Sequence, residues 1–158
     1  MSDARARRPW MAPPPGKLLG RGHPAGDFLE AHEWKLLERK PGYLKVEAHL
    51  PDRVRNPRGQ LFGGFTPTYV DLVALFTVRA GELRMEERLR TWLATTNLRV
   101  DYFEPIVGPN FWIDSRLVKR RGRTNFVETR FFDPQDTLAA FALTTMREVA
   151  HDRPLGDV

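Results

Sequence analysis

Hydrophobic and polar positions follow two patterns along the chain. Between Phe65 and Ala80 apolar residues occupy nearly every position, and their spacing predicts one long α-helix. From Phe126 to Phe131 apolar and polar residues alternate, as expected of a half-buried antiparallel strand. The predicted order is a hairpin, the long helix and four further antiparallel strands.

Turn-forming residues separate the predicted strands. The hairpin turns at Pro41-Gly42, and a short helix is predicted before it, between Pro24 and Trp34. A charged connector, residues 82–90, follows the long helix. Extended segments are then predicted over residues 91–105, 111–133 and 137–149, and a turn at Gly122 divides the second of these into two strands.

A sheet of about six strands and one long apolar helix is compact only if the sheet curls around the helix. The sequence therefore predicts an α+β fold with the helix as its core. Because the helix is apolar nearly all round, nearly every side of it should be buried. We expect one sheet to cover part of it and a second subunit to cover the rest, which makes the protein at least a dimer.

The chain of 158 residues is long enough for one substantial core, which we place in a single domain over residues 23–150. Residues 1–22 contain three successive prolines and scattered glycines, and are predicted to form a mobile arm. Residues 151–158 are predicted to be a C-terminal tail.

Composition excludes several kinds of chemistry. The absence of cysteine excludes thiolate nucleophiles and thiolate metal sites, and suits a reducing cytoplasm. The four histidines lie at no metal-ligand spacing, and no nucleotide-binding motif is found, so we expect no metal and no cofactor. A net charge of +5 admits an anionic partner. Scattered basic residues argue against nucleic acid, and the lack of a long apolar segment argues against a membrane.

One acidic residue, Asp71, interrupts the apolar helix. It lies about two turns after the predicted start, beyond the first turn where an acid caps a helix or complements its dipole. We expect the Asp71 carboxylate to be buried among Val70, Leu72 and Leu75. A buried carboxylate of this kind needs either a bonding partner or a functional role. One interpretation is a structural ion pair with an arginine, and the other, which we favour, is a functional carboxylate.

The segment "NPRGQLFGGFTPTYVD", from Asn56 to Asp71, resembles the hotdog-fold acyl-CoA thioesterases of the phenylacetate-degradation (PaaI-like) group. The segments "TTNLRVDYFEPIVG" and "VKRRGRTNFVETRFFD" resemble the third strand and the following hairpin of that family. The resemblance extends from Trp34 to Glu148. One position differs, because Phe62 stands where the family usually has histidine.

The resemblance implies a role for each matching residue. Asp71 would be the general base or the nucleophile in attack on a thioester carbonyl. Gly63, with Gly64, would offer backbone N–H groups to the oxyanion, and Asn56 would hold the carbonyl or the water. The hydroxyl that orients the water would be that of Thr95, with Thr96 as the alternative, and would come from the neighbouring subunit. Phe62 and Thr96 would contact the substrate.

A second chemical signal is the basic turn "KRRGR", from Lys119 to Arg123. Its arginines, Arg120, Arg121 and Arg123, are suited to grip the phosphates of coenzyme A, although a solvated turn explains the same residues.

The sequence thus favours an acyl-CoA thioesterase for an aromatic or medium-chain acyl group, with coenzyme A entering only as part of the substrate. It would be a homo-oligomer, a dimer or a dimer of dimers, with sites at the subunit interface. A non-catalytic acyl-CoA-binding or regulatory hotdog module is the alternative, and a nucleic-acid binder is a third, weaker possibility.

Overall fold

The computed structural model describes residues 13–81 and 91–150, which form one curled antiparallel sheet around a central helix. The elements are α1 (Pro24–Phe28), β1 (Lys35–Lys40), β2 (Tyr43–His49), α2 (Thr66–Val78), β3 (Thr91–Tyr102), β4 (Asn110–Arg121), β5 (Thr124–Phe132) and β6 (Leu138–Ala150). Single 3₁₀ turns lie at Ala31–Glu33, Asp52–Val54, Gly63–Phe65 and Arg79–Gly81. No helix in these ranges is long and apolar enough to cross a membrane.

The strand order is β1-β2-β4-β5-β6-β3, with every neighbouring pair antiparallel. The β1–β2 and β4–β5 hairpins turn at Gly42 and Gly122, whose φ angles of 69° and 58° lie in the left-handed region that glycine adopts without strain. Both predicted hairpins are confirmed. This α+β architecture is the hotdog fold that the sequence predicts.

Alternation along β5 sets which face of the sheet meets the helix. Val127, Thr129 and Phe131 are fully buried, whereas Phe126 is 41% exposed on the outer face. The inner face packs on α2, and the predicted half-buried strand is confirmed.

The helix α2 is buried on most sides by one chain alone. Eight of its residues are buried, namely Thr66, Tyr69, Val70, Leu72, Val73, Ala74, Thr77 and Val78. The N-terminal segment supplies part of the cover, because the Trp34 ring stacks on Tyr69 at 5.4 Å between centroids. The side that stays open runs along Thr68, Asp71 and Leu75. The expected burial of Asp71 is therefore wrong for the single chain.

The predicted mobile arm is too long. Leu18 and Leu19 are only 2% and 4% exposed and belong to the main core, and the Leu36 N–H donates to the Gly16 carbonyl at 2.8 Å. Two leucines that enter the core hold residues 16–20 against the domain, although the prolines before them favour no regular structure. The rest of the arm, residues 1–12, lies outside the described residues, as do the connector 82–90 and the tail 151–158.

The helix predicted between Pro24 and Trp34 is shorter than expected. It ends at Phe28, and Glu30 then adopts a left-handed conformation with φ of 54° before the 3₁₀ turn Ala31–Glu33. A single left-handed residue interrupts the helical hydrogen-bond ladder, so one predicted helix becomes two short turns.

Candidate active site

The start of the central helix carries two backbone donors that have no partner among the described residues. Phe62 is extended, and Gly63–Phe65 forms the 3₁₀ turn that leads into α2. The N–H groups of Gly63 and Gly64 come first in this turn, so no preceding turn can accept from them. Neither donates to a described residue outside the helix. They are available for an anionic oxygen.

Asp71 lies on the open side of α2 and is held by a threonine of the same chain. The Thr95 hydroxyl donates a hydrogen bond to the Asp71 carboxylate. Thr95 pairs with the buried Met146 across the sheet, and this register brings it to the helix side of β3. The contact with Asp71 is thus made within one chain, and a contribution of this hydroxyl to a neighbouring subunit's site stays a prediction. The alternative, Thr96, instead donates to the Thr145 carbonyl at 3.1 Å.

No arginine forms an ion pair with Asp71 within the ranges that the structure describes. Among the described residues, Asp71 therefore has no arginine that could make it part of a structural ion pair. One carboxylate oxygen accepts from Thr95, and the Asp71 residue as a whole is exposed.

Asn56 shapes the loop that precedes the glycines. Its side-chain carbonyl accepts from the N–H groups of Arg58 and Gln60 at 2.9 and 3.1 Å, and its amide donates to the Gln60 side chain at 3.2 Å. These bonds close a tight turn, as asparagine does in loops of this kind. The structure thus gives Asn56 a scaffold role, with one amide hydrogen left for a ligand.

Phe62 covers part of the helix start. The side chain is 52% exposed, and its ring lies so close to Gly64 that a Cβ there would come within 2.8 Å of it. The Phe62 ring also meets Phe65 edge-on at 5.8 Å, and Phe28 from α1 approaches Phe65 at 5.6 Å. The sequence does not reveal Phe28 as a neighbour of the site, because the contact joins distant segments.

Tyr102 is a second residue that the sequence does not assign to the site. Its hydroxyl donates to the Gly63 carbonyl at 2.6 Å. It also borders a cavity of about 250 Å³ lined by Leu61, Gly63, Thr66, Tyr102, Phe103, Glu104, Pro105, Ile106 and Ala140. This cavity adjoins the helix start.

The predicted basic turn is only partly free. Arg120 forms an ion pair with Glu148 at 2.6 Å, whereas Arg121 and Arg123 are exposed and form no ion pair with a described residue. The strand register traces a path across the sheet from Arg120 to Thr95. Arg120 on β4 pairs with Asn125 on β5, which pairs with Met146 on β6, which pairs with Thr95 on β3. Three strand spacings, about 14 Å, therefore separate the turn from Thr95 across the sheet.

One mixed cluster has metal-ligating side chains. Atoms of Glu30, Glu33 and His49 lie within 4.8 Å of one another. Glu30 already pairs with His49 at 3.0 Å and with Arg53 at 3.1 Å, so an ion-pair network accounts for the cluster without a metal.

Two tyrosines with raised pKa values lie outside the site. Burial raises the pKa of the Tyr69 phenol, and its hydroxyl donates to the His49 carbonyl at 2.9 Å. Burial, together with the hydrogen bond to Asp114, raises the pKa of Tyr43 to about 12. Both phenols thus stay protonated at neutral pH and act as hydrogen-bond donors.

The sequence matches the family model of the thioesterase superfamily over residues 58–140, more than half of the chain. This range includes both glycines, Asp71, Thr95 and the basic turn. The chain belongs to the thioesterase superfamily. It is a thioester hydrolase, and the resemblance seen in the sequence is confirmed at this level. Among curated proteins, none matches this thioesterase.

Solved thioesterase structures share the fold at low identity. A putative thioesterase from Ralstonia eutropha JMP134, described as phenylacetic acid degradation-related, is 22% identical, with a TM-score of 0.67 over 86% of this chain and 92% of that one. A hypothetical thioesterase from Streptococcus pneumoniae TIGR4 with coenzyme A is 15% identical, with a TM-score of 0.64 over 75% and 87%. A protein from Streptococcus mutans UA159 bound to acetyl CoA is 19% identical, with a TM-score of 0.62 over 75% and 90%.

The two neighbouring threonines allow a matched test of the Asp71 contact in this thioesterase. Thr95→Val keeps the shape but removes the donor to Asp71, whereas Thr96→Val removes a bond to the backbone of β6 only. A hydrogen bond to a charged group contributes about 1.5 to 3 kcal/mol. We expect Thr95→Val to lower kcat for a thioester about tenfold to a hundredfold, and Thr96→Val to leave it within about twofold. Equal effects of the two changes would contradict the assignment.

Proposed function

We propose that this thioesterase hydrolyses an acyl-CoA with an aromatic or medium-chain acyl group, consuming one water and releasing the free acid and coenzyme A. The observation that carries the proposal is the open side of α2, where the free N–H groups of Gly63 and Gly64 and the Thr95-bound carboxylate of Asp71 lie along one helix. The two structural neighbours with coenzyme A and acetyl CoA support this substrate class.

The backbone donors suit the charge that develops during hydrolysis. Water attack on a thioester carbonyl places negative charge on its oxygen, and one well-aimed donor contributes about 10²- to 10³-fold in rate. In this proposal the N–H groups at the start of α2 bind that oxygen. The leaving thiolate needs no strong general acid, since a thiol ionises far more readily than an alcohol. A site that contains neither cysteine nor histidine is therefore sufficient for thioester hydrolysis.

Asp71 is proposed as the base that activates the water. It follows Gly64 by seven residues, about two turns or roughly 10 Å along the axis, on the same side of the helix. A direct nucleophile must approach the carbonyl carbon to about 3 to 3.5 Å. A gap of this length favours a water molecule between the carboxylate and the carbonyl. It equally suits an interface in which one protomer supplies the acid and its partner the glycines.

Two copies are proposed to associate through β3. This strand spans 12 residues and lies at the edge of the described sheet, so one row of its backbone N–H and C=O groups has no strand partner there. Thr95 lies on the same strand, so pairing at this edge would bring a second copy close to Asp71. We infer a homodimer or a dimer of dimers with sites at the interface.

Solution mass tests this assembly. Light scattering at assay concentration should give at least twice the 18.2 kDa of one chain, because the exposed edge and the open side of α2 both need a partner. A mass of one chain in a sample that turns over acyl-CoA would refute the interface site.

Asp71→Asn tests the catalytic assignment. The amide keeps the shape and still accepts from Thr95, but it cannot take a proton, so kcat should fall about 10²-fold or more. Because Asp71 is exposed and has no described ion pair, the melting temperature should stay near that of the parent. Asp101→Asn, which changes a 38%-exposed acid on β3, is the control and should keep parental kcat. We would abandon the assignment if purified Asp71→Asn hydrolysed acyl-CoA at the parental rate.

The basic turn is proposed to bind the phosphates of coenzyme A. Alanine at Arg120, Arg121 and Arg123 should raise KM for acyl-CoA by at least about tenfold, but leave KM unchanged for a truncated thioester without the nucleotide. Lysine at the same positions keeps the charge and should restore most of the affinity. The largest single effects should come from Arg121 and Arg123, since Arg120 is already paired with Glu148. An equal rise in KM for both substrates would exclude phosphate binding.

A non-catalytic acyl-CoA-binding or regulatory module is the second candidate. The observation that favours it is the Phe62 ring, which covers Gly64 where the family usually has histidine. Saturable binding of acyl-CoA without turnover of any aromatic, short, medium or long acyl group by the parent would select this candidate. The same panel identifies the acyl group if turnover is found. A cytoplasmic location stays a prediction from the absence of cysteine.

A further inference from the structure

Tyr102 makes a polar contact that the mechanism above does not use. It is the last residue of β3, and its hydroxyl donates to the carbonyl of Gly63, 39 positions earlier in the chain, at 2.6 Å. The side chain is 54% exposed, so this bond lies at the rim of the domain rather than in its core. Its contribution to folding is correspondingly small.

The Gly63 carbonyl accepts a second hydrogen bond on its other side. The N–H of Thr66 closes the 3₁₀ turn on the same oxygen. A carbonyl oxygen has two lone pairs, and here both are engaged. Two donors from different elements, one in α2 and one in β3, therefore hold this oxygen in a fixed direction.

The Gly63 carbonyl shares a rigid peptide unit with the N–H of Gly64. In a planar trans peptide the C=O and the N–H point in opposite directions, so fixing the oxygen also fixes the line along which the N–H points. Glycine on both sides of this unit gives it the largest backbone freedom of any dipeptide. The unit needs an external anchor to stay oriented. Hydrogen bonds accepted by the carbonyl also polarise the peptide and strengthen its N–H as a donor.

We propose that Tyr102 is a positioning residue that aims the Gly64 N–H at the oxyanion. The inference rests on the proposed function, in which this N–H binds the carbonyl oxygen of the thioester. Tyr102 itself does not touch the reacting atoms in this arrangement. It acts through one peptide unit, from the side of the helix start that borders the cavity.

Kinetics of Tyr102→Phe measure the effect on catalysis. The change removes one hydroxyl and keeps the ring that packs beside Gly63. Because oxyanion contacts strengthen in the transition state, kcat for acyl-CoA should fall about tenfold while KM changes less than about twofold. Tyr43→Phe is the matched control, since it removes a phenol that donates to Asp114 on neighbouring strands, and it should leave kcat unchanged.

A spectroscopic readout tests the geometry without turnover. Gly63-Gly64 is the only pair of adjacent glycines in the sequence. Glycine labelled with ¹³C at the carbonyl and with ¹⁵N therefore gives a single peak in a spectrum that correlates an amide with the preceding carbonyl. That peak reports the Gly63 carbonyl and the Gly64 N–H together. It should shift in Tyr102→Phe and stay in place in Tyr43→Phe.

The outcomes separate the two hypotheses. Lower kcat with unchanged KM and a shifted peak supports the positioning role. If the parent hydrolyses acyl-CoA, but Tyr102→Phe has the same kcat or leaves the Gly63-Gly64 peak in place, the positioning role alone is overturned. A parent that hydrolyses no acyl-CoA overturns the proposed function and this role with it.

Discussion

The packing of Tyr69 fixes the rotation of the central helix, and the arrangement of the site depends on it. Its ring stacks on Trp34 and meets Phe111 edge-on at 5.2 Å, while its hydroxyl donates to the His49 carbonyl. The ring is fully buried, so rotation of α2 would break contacts with the N-terminal segment and the sheet at once. Tyr69 and Asp71 are two residues apart, about 200° around the helix. Burial of the tyrosine therefore places the acid on the opposite, open side.

The same constraint explains what the sequence predicts well and where it fails. Alternation in β5 and turn glycines at 42 and 122 are local signals, so strands and hairpins follow from the sequence directly. The exposure of Asp71 depends on which side of α2 the sheet leaves open. A helix that is apolar nearly all round does not reveal this side, because hydrophobicity alone marks no single buried face.

Other features depend on contacts between distant segments. Leu18 and Leu19 follow a proline-rich stretch with no periodic pattern, and only the assembled core shows that they are covered. The contact between Tyr102 and Gly63 joins the end of β3 to the start of α2. Neither residue type alone would predict this contact. The Asp71 position and the glycines, by contrast, follow from a family motif read without a gap. The motif thus points to the proposed reacting groups, whereas the contacts that hold them in place are visible only in the fold.

The β-bulge in β3 determines how this strand can change in evolution. Between Thr95 and Tyr102 the strand advances seven residues, while its partner β6 advances six, from Met146 to Ala140, and the register shift lies between Thr95 and Asn97. In a regular strand an odd separation puts two side chains on opposite faces. The extra residue brings both Thr95 and Tyr102 to the face of α2. This stretch therefore accepts substitutions more readily than a change in length, since one deletion would turn one of the two contacts toward solvent.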